Sequence, residues 1–200
     1  MQRWLHGAPE GERVIANADQ ADARVVPFLD FVQALAIHDI RFQHGVSLQK
    51  IREAVRAAND HYGIEYPLAR RHTLYAVGKE IVIVTDPEDA PVELTGRNKN
   101  QEAMKPIIER FMRELHYGDL GYADKYTLFK EGLVEIEMDP NVRFGEPLIK
   151  SCAYTPWALC EAAKAEGSVD AAARLFGVQT EEVWAALRCF DLLEPRQNAA

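Results

Sequence analysis

The sequence predicts an α+β fold, mainly helical. Three observations predict it: two amphipathic helical stripes between residues 27 and 63, short β-branched and aromatic runs bounded by turn signals, and an alanine-rich C-terminal stretch. Gly167 and Gly177 break that last stretch into three helices, the final two forming a helix-turn-helix over residues 168–190. A boundary near Gly132 gives an N-terminal part, 1–132, with a helical hairpin, a short antiparallel sheet and a further helix. A C-terminal helix-turn-helix part, 133–200, follows.

Each element has a local reason. Phe28, Phe31, Leu35 and Phe42 recur at helical spacing, with Val32 and Ile40 widening the stripe, so residues 28–43 read as a helix with one buried face. Gly45 supplies the left-handed residue that stops it, and Ser47 caps the next helix. In that second helix Leu48, Ile51, Val55, Ala58 and Tyr62 form the apolar face, while Lys50, Arg52, Arg56 and Asn59 take the wet side. Residues 72–77 and 80–85 are strands joined by the turn Gly78-Lys79, and 92–94 adds a short third. Residues 100–116 return to helical spacing, with Pro106 in the first turn. Two more strands, 125–129 and 133–138, precede the turn signal Asp139-Pro140, and helices are expected over 155–165, 168–176 and 180–187.

With 200 residues, 48% of them hydrophobic and 27% charged, the chain can bury a core. No run approaches the roughly 18 apolar residues of a membrane span, and the N-terminus lacks the apolar run of a secretory signal, so a soluble, cytoplasmic protein is expected. Cys152, Cys160 and Cys189 are odd in number and lack Cys-x-x-Cys spacing, which favours buried free thiols over disulfides or zinc. The net charge of −8 argues against coating nucleic acid by bulk electrostatics, since such binding relies on Lys and Arg neutralising phosphates. Residues 133–200 carry 11 acidic and 6 basic side chains, whereas residues 41–72 carry six basic against three acidic. The one basic island is therefore N-terminal.

In the helix-turn-helix, the small Ala173 sits four residues before Gly177, and Val183 and Ala186 follow at six and nine. Tight helix crossing needs the small side chain, the turn needs the glycine, and the later apolar pair anchors the second helix. Ser168 and Thr180 are the expected N-caps. If the second helix met DNA, Gln179, Thr180 and Arg188 could reach bases or phosphates, but Glu181 and Glu182 would meet phosphate repulsion. Trp184, with Phe190 nearby, equally suits a protein partner, so the unit reads as an assembly module as much as a DNA reader. DNA contact is expected first along Lys50, Arg52 and Arg56 and at Arg70-Arg71.

No catalytic constellation emerges. The six histidines form no His-x-x-x-His or His-Glu-x-x-His pair, and there is no Gly-x-Ser-x-Gly, phosphate loop or dinucleotide fingerprint. No catalytic residue, metal or cofactor is expected, and the chain is read as a regulator and not an enzyme.

Asp139, Pro140, Phe144, Gly145, Pro147, Ile149 and Pro156, followed by the helices, resemble the VapB-like antitoxin-component family known as domain of unknown function 433. Ser151-Cys152-Ala153 departs from it, standing where that family usually has Gly-Thr-Arg. Phe144-Gly145 and Pro147 read locally as a turn pinning a strand against the helices. Residues 28–54 and 67–71 are similar to the winged-helix, MerR-like region of the longer members. In those a further helix-turn-helix ends in an Arg-Trp-Leu-x-Gly-like sequence; here Arg3-Trp4-Leu5-His6-Gly7 opens the chain, so most of that first motif is expected to be missing. The resemblance implies an antitoxin that neutralises a PIN-like ribonuclease toxin and represses its own promoter, as a homo-oligomer such as a dimer. The alternative is a stand-alone DNA-binding transcription regulator, or a protein-interaction module, without a toxin.

Overall fold

Helix α1 (Phe28–Gln43) stops where Gly45 takes a φ of +64°, and Ser47 then starts α2 (Leu48–Tyr62) by accepting the Lys50 N–H on its Oγ at 3.3 Å. Gly63, at φ +63°, ends α2 with its N–H on the Asn59 carbonyl. The computed structural model describes residues 26–71, 74–77, 80–83, 92–94 and 114–193. Among them are five α-helices, a three-stranded sheet and a four-stranded antiparallel sheet, an α+β fold divided into two units after Asp124. None of these helices is long and apolar enough to cross a membrane.

The first unit reaches Asp124. The buried face of α1 differs from the expected stripe: Val32, Ala34, Ala36, Ile37 and Ile40 are buried, whereas Phe28, Phe31 and Leu35 are half-buried and Phe42 is exposed, stacked on His38. Small side chains at Ala34, Ala36, Ala54, Ala57 and Ala58 fill the core that α1 and α2 share, and large aromatics are left on the flank. Tyr62 is likewise exposed at the end of α2. A 3₁₀ turn, Pro67–Ala69, packs on both helices through Leu68.

Strands β1 (Leu74–Val77) and β2 (Glu80–Ile83) pair antiparallel with Val77 opposite Glu80, the two-residue connection read from the sequence. The strand β3 (Val92–Glu93) adds to β2, and Ile81, Ile83 and Leu94 join the helical core. The helix expected over 100–116 lies mostly outside the described residues. Its end is a correction: Leu115–Tyr117 is a strand, β4, where Leu115 is buried and His116 exposed, a period of two.

The second unit begins at Lys125, earlier than the expected boundary at Gly132, because Gly132 lies inside a hairpin. Strand β5 (Ala123–Glu131) pairs antiparallel with β6 (Val134–Met138) through a Gly132-Leu133 turn, with Gly132 at φ +57°. Leu133, expected in the strand, sits in that turn and is fully exposed. After the predicted Asp139 turn, where the Asn141 N–H bonds Asp139 Oδ1 at 2.9 Å, a short strand β7 (Leu148–Ile149) pairs with β6. Leu148 and Ile149 do the packing that Phe144-Gly145 was expected to do. Arg143, Phe144 and Gly145 all have positive φ, and the Phe144 ring is fully exposed.

Helices α3 (Pro156–Glu166), α4 (Val169–Phe176) and α5 (Thr180–Leu193) follow with the predicted cap Ser168 and the predicted breaks at Gly167 and Gly177, and Thr155, expected as the first residue of its helix, caps α3. Val183 and Ala186 are fully buried and Ala173 nearly so, packed with Leu159, Cys160 and Cys189 and with Val134, Ile136 and Ile149 of the sheet. Burial pushes the Cys160 thiol up to about 11, so it stays protonated and unreactive at neutral pH.

A Cβ on Gly177 would meet nothing within 4 Å, but its φ of +66° is costly for an L-residue, so Gly177→Ala should destabilise the protein by about 1 kcal/mol and Gly177→Asn by less, read from urea midpoints. On the surface, Lys150 Nζ bonds Glu135 at 2.9 Å and Glu137 at 2.8 Å, while Lys130 also bonds Glu135. Lys130 and Lys150 hold Glu135 down to about 2 from an ordinary 4.5. A carboxylate depressed by folding stabilises above its unfolded pKa and loses that contribution as pH falls through the folded one. Wild-type stability should therefore decline from about pH 5 to pH 2, and Glu135→Gln should shrink that decline, measured as melting temperature against pH.

Candidate functional site

The first turn of α5 is built differently from the sequence expectation. Thr180 is its first helical residue, and the cap is made by Glu182, whose Oε2 accepts the Gln179 N–H at 2.8 Å. The other oxygen of Glu182 accepts the Ser151 hydroxyl, and the side chain is 94% buried from its 6% exposure. Glu182 therefore points inward, and only Glu181, held by the Thr180 hydroxyl at 3.2 Å, is left exposed of the acidic pair expected to repel phosphate. Cys152 lies in the same loop as Ser151. Burial, with the Glu182 carboxylate adding to it, raises its thiol pKa.

Between the start of α5 and the β5–β6 turn lies a groove of about 540 Å³. Leu133, Val134 and Ala185 give it apolar walls, and Glu131, Glu181, Glu182 and Arg188 bring charge to it. Arg188 Nε pairs with Glu131 across the groove, and its guanidinium lies 6.0 Å from the Trp184 ring, which is 49% exposed. Such a cavity, mostly apolar with a few placed charges, is the usual form of a binding site.

Gln179 and Arg188 both line this groove, Arg188 lies against Trp184, and Thr180 opens α5. Phe190, six residues beyond Trp184, lies on another face of the helix and packs against the unit's core instead of standing beside Trp184. Leu133, Glu131 and Ser151 are site residues that sequence reasoning missed. Leu133 carried a signal, a large apolar residue directly after a turn glycine; Glu131 and Ser151 carried none.

In the first unit, Lys50 and Arg52 are half-buried on α2 and Arg56 is exposed. The Nε of Arg52 is buried without a hydrogen bond. Arg70 and Arg71 follow the 3₁₀ turn. The guanidinium of Arg70 lies over the Tyr122 ring at 5.2 Å, Tyr66 meets that ring edge-on, and the Arg71 N–H bonds the Gly121 carbonyl. Arg70 is thus part of an aromatic stack as much as a free cation.

No protein-family model matches the sequence, and no curated protein matches it. Among solved structures the chain is similar to the crystal structure of Rv2018 from Mycobacterium tuberculosis, with a TM-score of 0.55 and 17% sequence identity, over 81% of this chain and 78% of that one. At that identity the likeness concerns the fold alone.

Proposed function

We propose that this chain is an antitoxin-like regulatory protein, which neutralises a PIN-like ribonuclease toxin and binds promoter DNA as an autorepressor. In this reading the C-terminal unit meets the toxin, the basic residues of the first unit meet DNA, and the protein works as a dimer in the cytoplasm. The toxin and the winged-helix, MerR-like character of the first unit rest on the resemblance stated above.

One observation carries the division of labour. Of the seven Lys and Arg side chains in residues 125–193, six sit in ion pairs with carboxylates of the same unit: Lys125, Lys130, Arg143, Lys150, Lys164 and Arg188. A phosphate would have to displace a carboxylate at each of them. Glu166, Asp170, Glu181, Glu182 and Asp191 have no cation partner among the described residues, so the unit offers surplus negative charge. That charge suits a basic, RNA-binding protein partner better than a duplex. The exposed Trp184 adds the kind of amphipathic ring that anchors protein interfaces.

The test is co-expression with the product of a neighbouring gene. A stable complex with a small nuclease, whose toxicity this chain relieves, is the expected result; a toxic nuclease neighbour that does not bind sinks the reading. For DNA, Arg56→Glu, at an exposed position, should weaken binding to upstream DNA for all sequences alike and lower the salt slope by about 1, measured by titration at several salt concentrations.

A further inference from the structure

We propose that the groove between the β5–β6 turn and α5 is a docking slot for a segment of a partner protein that carries a large apolar side chain next to a lysine or arginine. This deepens the reading of the C-terminal unit as the partner-binding one and rests on it.

The apolar half of the specification comes from the walls. Val134 and Ala185 are buried and form the floor, while Leu133 is fully exposed at the tip of a two-residue turn. A leucine held in water by a turn gains nothing for the isolated fold, and covering it favours a complex. The cavity of about 540 Å³ falls within the roughly 300–1,000 Å³ of sites that take ligands, room for more than one side chain.

The basic half comes from the charges. Glu131 is already answered by Arg188, but Glu181 and Glu182 have only neutral donors, Thr180 for the first and Ser151 and Gln179 for the second. The positive end of α5 offsets part of that charge. What remains favours a cation beside the apolar anchor and repels a phosphate or a carboxylate. Lys and Arg fit both requirements, because their apolar stems can lie along the walls while the head group reaches Glu181.

The experiment pans a phage-displayed random peptide library against the full-length chain and measures the enriched peptide against variants. The expected consensus places Lys or Arg beside a large apolar residue. Its affinity should fall about tenfold or more in Leu133→Glu and in Glu181→Lys, both solvent-exposed positions whose substitution leaves the core untouched. An acidic consensus, no consensus at all, or binding unchanged in Leu133→Glu overturns the proposal. So does sedimentation in which Leu133→Glu splits a dimer and no peptide is enriched, since the groove is then a contact between copies. A nuclease partner captured equally by wild type and Leu133→Glu overturns the slot but leaves the antitoxin reading standing. A slot-dependent consensus with no nuclease binding does the reverse.

Discussion

The second unit depends on one buried carboxylate. Glu182 accepts the N–H of Gln179 and the hydroxyl of Ser151, and so fastens the first turn of α5 to the loop that follows β7. A charge held away from water persists only where donors surround it, and here the backbone of the helix start and a serine provide them. With that turn fixed, α5 presents Glu181, Ala185 and Arg188 to the β5–β6 turn, and the groove has its second wall. Losing the Ser151 hydroxyl would leave a buried charge short of a partner and loosen the wall with it.

The first unit rests on a different constraint, the close packing of small side chains. Its core is filled by Ala34, Ala36, Ala54, Ala57 and Ala58 with Ile37, Ile40 and Ile51, and the sheet closes it with Ile81 and Ile83. Phe42, two residues beyond Ile40 and so about 200° round the helix, stays in solvent while Ile40 is buried. Of the basic residues of α2, Arg56 is exposed while Lys50 and Arg52 are half-buried.

Much of this fold was legible because the signals were local. Both ends of α2, the two-residue β1–β2 connection, the cap Ser168 and the breaks at Gly167 and Gly177 follow from residue types within a few positions of each other. What was not legible required knowledge of distant partners. The α1 stripe of Phe28, Phe31, Leu35 and Phe42 has correct helical spacing, yet hydrophobicity alone could not tell that the alanine-bearing face would be chosen. Leu115–Tyr117 has too few residues to reveal its period of two. At the candidate site, Gln179, Trp184 and Arg188 were legible as one end of a helix. That Arg188 would meet Glu131, 57 residues away, and that Glu182 would turn inward to Ser151, were not.

The Arg188–Glu131 pair ties the groove to its ionic surroundings. It joins the rim of the groove across 57 residues of chain, yet both side chains are about half exposed, so water and salt compete for it. It adds little to the equilibrium stability of a wall already held by the packing of α5. The pair is screened by salt, so it holds the rim of the groove more firmly at low ionic strength than at high.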